Sequence, residues 1–216
     1  MSFLKKGRYI AVEGVIGVGK TTLTKLIAER YNGKFFLEVV EENPFLEPFY
    51  ADKEKYAFQA QIFFLLSRFK QQQELMQMDL FSNFIVSDYF FEKDRIFAYL
   101  NLNEKELGLY ETLWKMMSRT VSKPDLVIYL SANTDIIMSR IEKRGRSFEH
   151  NMDRHYIENL KQAYDYFFFH YNDSNSLTIN TDKLDYVNDP EHLELILKQI
   201  EDFTSGKKYI DPFKKI

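Results

Sequence analysis

The chain has 216 residues, a net charge of −3 and no cysteine. This length predicts one domain with a large core, and the missing cysteines exclude disulfides, cysteine-ligated metal sites and cysteine nucleophiles. The slightly acidic balance argues against partners such as nucleic acid or a membrane surface, which need a basic face. No segment resembles a signal peptide or a membrane span, so we expect a cytoplasmic protein.

The first predicted elements are a strand, a glycine-rich loop and a helix. Tyr9–Glu13 is a short apolar run that favours a strand, and the helical pattern covers 21–31. Between them the chain reads Gly-Val-Ile-Gly-Val-Gly-Lys-Thr, the full G-x-x-x-x-G-K-[ST] pattern of a phosphate-binding loop. Lys20 is suited to the terminal phosphates of ATP, and the Thr21 hydroxyl is suited to Mg²⁺. The predicted ATP-binding residues are Gly14, Val15, Ile16, Gly17, Val18, Gly19, Lys20, Thr21 and Thr22.

Strands and helices alternate along the rest of the chain. Further strand-like runs cover 35–39, 84–88, 126–130 and 177–180, and helical patterns cover 56–78, 104–120, 134–144, 153–171 and 190–204. This alternation predicts a parallel sheet with helices on both faces. We expect one domain over 1–206, followed by a loose basic tail over 207–216.

Two carboxylates lie where predicted strands end. Glu38 closes the second strand and Asp88 closes the third. The carboxyl ends of parallel strands share one edge of the sheet, which here also carries the phosphate loop. Phosphoryl transfer to a hydroxyl needs a carboxylate beside that hydroxyl. The alternative is that each acid is a helix cap or a loop residue facing water.

The helix over 56–78 carries a polar line. Gln61, Phe64 and Arg68 are spaced so that they share one side of the helix. The Gln61 amide offers both donors and an acceptor, as reading a base edge requires. The alternative is a glutamine and an arginine on the surface beside the core. The triplet 71–73 is expected on a solvated face.

Three arginines follow the fourth predicted strand. Arg140 and Arg144 lie on the helix over 134–144, and Arg146 comes just after Gly145. Such a cluster can clamp a transferring phosphoryl group. Basic residues also complement the carboxyl end of a helix, which accounts for Arg144 better than for the other two.

Together these motifs resemble the deoxynucleoside kinases, most of all the bacterial deoxyguanosine/deoxyadenosine kinases. The likeness runs from Tyr9 to about Tyr164. Its motifs are the phosphate loop, Glu38 to Pro44, Gln61 with Arg68, Val86 to Ala98 and Arg140 to Glu149.

The resemblance implies roles for the acceptor-binding and lid residues. Asp88 matches the general base on the 5′-hydroxyl, and Glu38 matches an acid that helps to hold this hydroxyl and the metal region. Tyr50 and Glu149 match the pair that holds the sugar 3′-hydroxyl. The remaining substrate residues are Gln61 as base reader, Arg68 and Asp94 as the pair that tunes base choice, and Tyr89 and Phe97.

The same resemblance implies the architecture and the partners. The fold would be a three-layer α/β arrangement around a five-stranded parallel sheet, with a small lid over about 140–152 that carries Arg140, Arg144 and Arg146. The loop 182–189 matches, loosely, the segment near the donor base. ATP and Mg²⁺ are the implied cofactors, and a homodimer is the implied assembly.

One position departs from the pattern. Many family members carry arginine directly after the catalytic acid, whereas this chain has Tyr89. A subset of bacterial relatives shares an Asp-Tyr pair followed by a lysine, as in Asp88, Tyr89 and Lys93. Either Lys93 or Arg95 could supply the cation that steadies Glu38.

The predicted function is transfer of the ATP γ-phosphate to the 5′-hydroxyl of a deoxynucleoside, with a purine preferred on family likeness alone. One alternative is a nucleoside monophosphate kinase of the thymidylate kinase type, although its acceptor phosphate needs cations and Tyr89 supplies none. The other is a non-catalytic nucleotide sensor or GTP switch. The chain contains neither the Asn-Lys-x-Asp nor the Asp-x-x-Gly pattern of such switches.

Overall fold

The computed structural model describes residues 8–39, 42–79, 84–146, 149 and 152–213. Residues 147, 148, 150 and 151 of the predicted lid therefore lie outside the described residues, as do residues 40 and 41 of the motif that begins at Glu38. The strands are β1 (Arg8–Gly14), β2 (Lys34–Phe36), β3 (Phe84–Ser87), β4 (Leu126–Ser131), β5 (Asn175–Asn180) and β6 (Lys207–Ile210). The helices are α1 (Lys20–Arg30), α2 (Leu46–Ala51), α3 (Lys53–Asp79), α4 (Lys93–Asn101), α5 (Glu104–Ser118), α6 (Thr134–Arg144), α7 (Arg154–His170) and α8 (Pro190–Glu201).

The strands form one parallel sheet in the order β2-β3-β1-β4-β5-β6. Successive side chains of β3 and β4 point to opposite faces and are almost all buried, so both faces of the sheet are covered. The predicted three-layer α/β arrangement is confirmed. The chain runs from β1 to one side of the sheet and later returns to the other side, which opens a crevice beyond the carboxyl ends of β1 and its neighbours.

The core is rich in aromatic rings, and it has two parts. Against the sheet, Phe168 of α7 stacks on Tyr129 of β4 with a centroid distance of 4.2 Å. A smaller cluster between α3, α4 and α5 contains Leu65, Phe91 and Tyr110, all buried. This second cluster fixes α5 against α4 and against α3, the helix that carries the polar line.

The prediction of five strands is wrong, because residues 207–210 add a sixth strand beside β5. Gly206 turns the chain with a φ of 84°, and its N–H donates to Asn175 Oδ1 at 2.8 Å. The sequence did not indicate this strand, because its four residues include two lysines and show no clear apolar alternation. Lysines are nevertheless common on edge strands, where they discourage pairing with a further strand. The start of the predicted loose tail is therefore part of the sheet.

Two smaller predictions also fail. The second strand ends at Phe36 rather than at Val39, so Glu38 lies in the loop that follows β2. Gln71 and Gln72 are buried, not solvated, and the Gln72 amide donates to the Tyr9 hydroxyl at 3.3 Å. Helix α3 is covered on more than one side, so polar residues alone do not mark its solvent face.

We expect deletion of residues 207–216 to lower the free energy of unfolding by about 2 kcal/mol and the melting temperature by about 5 °C. The deletion removes the hydrogen bonds between β5 and β6 and exposes the edge of β5. Thermal and urea unfolding measure the loss. Deletion of 211–216 alone keeps β6 and serves as the control; an equal loss in both variants would contradict this account.

Candidate functional site

The phosphate loop connects β1 to α1 through glycines with positive φ. Gly19, at the start of α1, has a φ of 110°, and a Cβ there would lie 2.0 Å from the Tyr186 hydroxyl. Lys20 Nζ donates to the carbonyl oxygens of Gly14 at 2.8 Å and Val15 at 3.3 Å. Burial, and then the nearby Lys93, lower the pKa of Lys20 to about 8. The lysine is thus held over its own loop.

A first cleft, here called the loop cleft, lies between the phosphate loop and residues 184–188. Tyr186 closes one side of it, since its hydroxyl donates to the carbonyl oxygens of Val18 at 3.3 Å and Gly19 at 3.2 Å. The segment 182–189 therefore lies against the phosphate loop. The predicted site residues that line the loop cleft are Gly17, Val18, Gly19, Lys20, Thr21, Thr22, Arg140, Arg144 and Arg146.

A second cleft, here called the aromatic cleft, extends from Lys20 between α2, α3, α4 and α7. The empty space in it, counted together with open solvent at its mouth, is about 910 Å³. Six aromatic rings line it, those of Phe49, Tyr50, Phe64, Phe97, Tyr156 and Tyr164. Its other predicted site residues are Ile16, Lys20, Thr21, Glu38, Gln61, Arg68, Asp88, Arg144, Arg146 and Glu149.

The two clefts meet at four side chains. Lys20, Thr21, Arg144 and Arg146 line both of them. A group bound in one cleft can therefore face a group bound in the other across the phosphate-loop lysine. Gly14 and Val15 are buried and line neither cleft.

Asp88 lies at this junction, with both carboxylate oxygens in use. Thr21 Oγ1 donates to Oδ2 at 2.5 Å, and the Glu38 N–H donates to Oδ1 at 2.7 Å. Burial raises the pKa of Asp88 despite the Thr21 hydrogen bond. The interaction with the Glu38 N–H also fixes the loop after β2, which explains how Glu38 reaches the cleft from outside the strand.

Glu38 is bracketed by two cations. Lys93 Nζ lies 2.7 Å from Oε2, and Arg68 Nε donates to Oε1 at 2.7 Å. Burial alone would raise the pKa of Glu38, but Lys93 and Arg68 outweigh it and lower the pKa from 4.5 to about 2. The sequence left open whether Lys93 or Arg95 is the cation beside Glu38, and the structure places Lys93 there. Arg95 instead pairs with Glu111 at 3.0 Å.

Glu13 is a further buried acid, and sequence reasoning missed it. Its carboxylate accepts from the N–H groups of Gly14 at 3.0 Å and Phe90 at 3.2 Å, and it lies 3.5 Å from Lys93 Nζ. Burial raises its pKa, although Lys93 opposes this. The sequence did contain a signal for Glu13, because an acid directly before the phosphate loop stands on a strand that is buried on both faces.

Gln61 and Arg68 are both buried at the far wall of the aromatic cleft, so the alternative that placed them on the surface is wrong. Gln61 Nε2 donates to the main-chain oxygen of Asp94 at 2.9 Å. Arg68 Nη1 pairs with the Asp94 carboxylate. Asp94 itself does not line the cleft but holds the two residues that do.

Tyr89 is a second predicted substrate residue that does not line the aromatic cleft. Its ring is fully buried and packs against Phe36 with a centroid distance of 6.4 Å. It lines neither cleft. The chain turns after Asp88, so the next side chain points back into the core rather than toward the cleft.

The mouth of the aromatic cleft carries Glu149, Arg144 at the end of α6 and Arg146 just after that helix. Arg144 forms a two-point pair with Glu149, with Nε at 3.0 Å and Nη2 at 2.5 Å. Arg146 Nη1 lies 4.0 Å from the same carboxylate. Tyr50 lies in the same region, and burial, followed by Tyr156 and Glu149, raises its pKa. The structure therefore brings Tyr50 and Glu149 to one wall of the cleft.

Arg140 is engaged differently from the other two arginines. Its guanidinium donates to the main-chain oxygens of Val18 at 3.0 Å, Thr181 at 3.0 Å and Leu184 at 3.2 Å. Through these contacts it joins the phosphate loop to the segment 181–184. In this structure Arg140 therefore connects the two segments that border the loop cleft. Its role in binding the transferred phosphoryl group stays a prediction.

Comparisons with known proteins point to one family. The family model of deoxynucleoside kinases matches residues 10–205. A deoxyguanosine kinase of Bacillus subtilis is 31% identical, over 90% of this chain and 96% of the relative. A deoxyadenosine/deoxycytidine kinase of the same organism is 34% identical, over 91% of this chain and 93% of the relative.

Two solved structures of a deoxynucleoside kinase are also similar to this chain. The deoxyadenosine kinase from M. mycoides with bound dATP matches with a TM-score of 0.75 and 28% identity, over 89% of this chain and 98% of that one. Its structure with bound dCTP matches with a TM-score of 0.74. In the part of this chain that the structure describes, no helix is long and apolar enough to cross a membrane.

The charge pairs of Glu38 lead to a prediction on acid stability. Because its pKa is lowered in the folded chain, ionised Glu38 stabilises the fold fully above about pH 4.5 and less as the pH falls toward 2. We expect the difference in unfolding free energy between the wild type and Glu38→Gln to shrink by about 1 kcal/mol between about pH 6 and about pH 3.5. Urea unfolding across this range measures it; a constant or growing difference would contradict the pairing.

Proposed function

This chain belongs to the deoxynucleoside kinase family and phosphorylates deoxynucleosides, and on that premise we propose the details of its reaction. The donor is ATP with Mg²⁺, the acceptor is the 5′-hydroxyl of a purine deoxynucleoside, and the product is a monophosphate for nucleotide salvage. The observation that supports this best is the meeting of the two clefts at Lys20, Thr21, Arg144 and Arg146. ATP occupies the loop cleft, and the nucleoside occupies the aromatic cleft.

The residues around Thr21 fit a magnesium ion. The Thr21 hydroxyl and the Asp88 carboxylate, 2.5 Å apart, are oxygen ligands of the kind Mg²⁺ prefers. In phosphate-loop enzymes the metal is held by the loop Ser/Thr and an acid from a nearby strand. When bound, the ion would neutralise phosphate charge. Lys20, Arg144 and Arg146 add charge stabilisation from the protein on both sides of the transferred group.

Two carboxylates compete for the role of proton acceptor. Asp88 has the raised pKa, which favours it as a base. However, a magnesium ion held by the Thr21 hydroxyl would draw on this same carboxylate, whereas the Glu38 carboxylate contacts Lys93 and Arg68 instead. We therefore assign Asp88 to the metal side and Glu38 to the 5′-hydroxyl, which differs from the expectation from sequence. In a loose transition state for phosphoryl transfer, the main task of the carboxylate is to orient the hydroxyl. The low pKa of Glu38 is therefore compatible with this role.

The rest of the aromatic cleft suits a nucleoside. Tyr50 and Glu149 provide a hydroxyl and a carboxylate for the sugar 3′-hydroxyl. At the far wall, Gln61 donates to the main-chain oxygen of Asp94 and also hydrogen-bonds the Tyr110 hydroxyl, which leaves its side-chain oxygen as an acceptor for a base edge. Phe64 and Phe97 offer faces on which a flat base can stack. The names of the relatives support a purine, since deoxyguanosine or deoxyadenosine occurs in each of those compared above.

Assembly and location remain proposals. We propose a homodimer on family likeness, and α5 exposes Leu109 and Met116 on one side, as an interface would require. A cytoplasmic location is proposed from the sequence alone.

A substrate panel tests the function. We expect ATP-dependent phosphorylation of deoxyguanosine or deoxyadenosine with a kcat/KM at least about tenfold above that of deoxycytidine and thymidine. The four deoxynucleosides are compared at equal concentration with Mg²⁺, and thymidine monophosphate is included as an acceptor. Preference for a pyrimidine would contradict the purine proposal, and phosphorylation of the monophosphate alone would contradict the assignment of the acceptor.

Two isosteric variants separate the roles of the carboxylates. We expect Glu38→Gln to lower kcat by about 10²-fold or more at every Mg²⁺ concentration, because an amide oxygen can accept a hydrogen bond from the hydroxyl but cannot take its proton. Asp88→Asn should instead raise the Mg²⁺ concentration needed for half-maximal rate by about tenfold. Steady-state rates over a Mg²⁺ titration distinguish them, with Asp173→Asn, an exposed acid, as control. Loss of turnover in Asp88→Asn at saturating Mg²⁺, with Glu38→Gln active, would reverse the assignment.

A further inference from the structure

Asp94 organises the far wall of the aromatic cleft without lining it. It is fully buried, and its carboxylate is shared between Arg68 and the hydroxyl of Tyr110, which donates to Oδ2 at 2.7 Å. Its main-chain oxygen accepts from Gln61 Nε2 at 2.9 Å. One residue therefore sets the orientation of both polar side chains that face the base end of the cleft.

Tyr110 belongs to α5, outside the cleft. Its ring is fully buried among Leu65, Phe91 and Ala98, so apolar packing fixes where its hydroxyl lies. That hydroxyl is the single polar atom of the side chain, and it contacts Gln61 as well as Asp94. The packing of α5 is thereby connected to the wall that would meet a base.

We propose that Tyr110 is a positioning residue for base selection. By holding the second oxygen of Asp94, it keeps Arg68 and Gln61 in the one arrangement that accepts the preferred base. This inference rests on the proposed use of the aromatic cleft by the nucleoside, and no motif of the sequence indicated Tyr110.

The physical reason is the cost of a buried oxygen without a partner. If the Tyr110 hydroxyl is removed, Asp94 Oδ2 is left without its donor in the protein interior. The carboxylate then gains by rotating toward its remaining donors, and Arg68 moves with it, while Gln61 loses its own hydrogen bond to the Tyr110 hydroxyl. A polar pocket rejects a wrong base strongly only while its donors and acceptors are fixed, so selectivity should fall more than turnover.

Tyr110→Phe tests this, with Tyr129→Phe as a matched control. Tyr129 is also buried, and its hydroxyl donates to the carboxylate of Asp165 at 2.6 Å, but it lines neither cleft. We expect Tyr110→Phe to lower the ratio of kcat/KM between the best deoxynucleoside and the next by about tenfold. The change should lie in KM for the nucleoside, while KM for ATP stays the same. Tyr129→Phe should keep the ratio.

Gln61→Ala separates failure of this inference from failure of the proposed function. If Gln61→Ala leaves the ranking of deoxynucleosides unchanged, the nucleoside does not use this wall, and the proposed site fails with the inference. If Gln61→Ala alters the ranking but Tyr110→Phe behaves like Tyr129→Phe, only the inference is overturned. The double variant should be less than additive, because both changes act on one network.

Asp94→Asn provides a second test that does not depend on the stability of Tyr110→Phe. It leaves Tyr110 in place and removes the charge that holds Arg68. We expect the same loss of selectivity. An unchanged ranking in Asp94→Asn would overturn the inference, since Tyr110 is argued to act through Asp94.

Discussion

A buried row of alternating charges runs from the phosphate loop to the far wall of the aromatic cleft. Its members are Glu13, Lys93, Glu38, Arg68 and Asp94, each in contact with the next. An ion taken out of water is tolerated only when it is paired and hydrogen-bonded, so no member of the row can be moved or removed alone without a large cost. The row ties together β1, the loop after β2, α3 and α4.

This constraint explains how the site keeps its shape. Glu38 lies on an irregular loop, yet two cations and the contact between its N–H and Asp88 fix it. A carboxylate on a free loop would lose much of its value for catalysis, since reactive groups must be held within a fraction of an ångström. The aromatic packing of α7 on β4 and of α5 on α3 and α4 supplies the rigid frame around it.

The same row connects two tasks that are usually treated separately. Arg68 contacts Glu38 with one side of its guanidinium and Asp94 with the other. In the proposed reaction, base selection and hydroxyl activation thus share one side chain. A base that displaces Arg68 would also disturb Glu38, so a poorly fitting nucleoside should be turned over slowly as well as bound weakly.

The sequence by itself determined the parts of the protein that depend on contiguous residues. The phosphate loop is local, because the conformation of Gly14 to Thr21 follows from glycines and a helix start only a few residues apart. The alternation of strands and helices fixed the layered parallel sheet for the same reason. Family likeness added the remaining site residues, and most of them do line the two clefts.

Only the tertiary structure decided which side chains pair across the fold. Lys93 and Arg95 are equally plausible cations in the sequence, yet the turn of α4 points Lys93 at Glu38 and Arg95 at Glu111. Other features likewise depend on neighbours distant along the chain. They are the contacts of Glu13, the inward orientation of Tyr89, the hydrogen bonds of Arg140 and the pairing of the strand over 207–210. Such contacts are settled by the packing of whole elements to within about an ångström, and no local pattern carries that information.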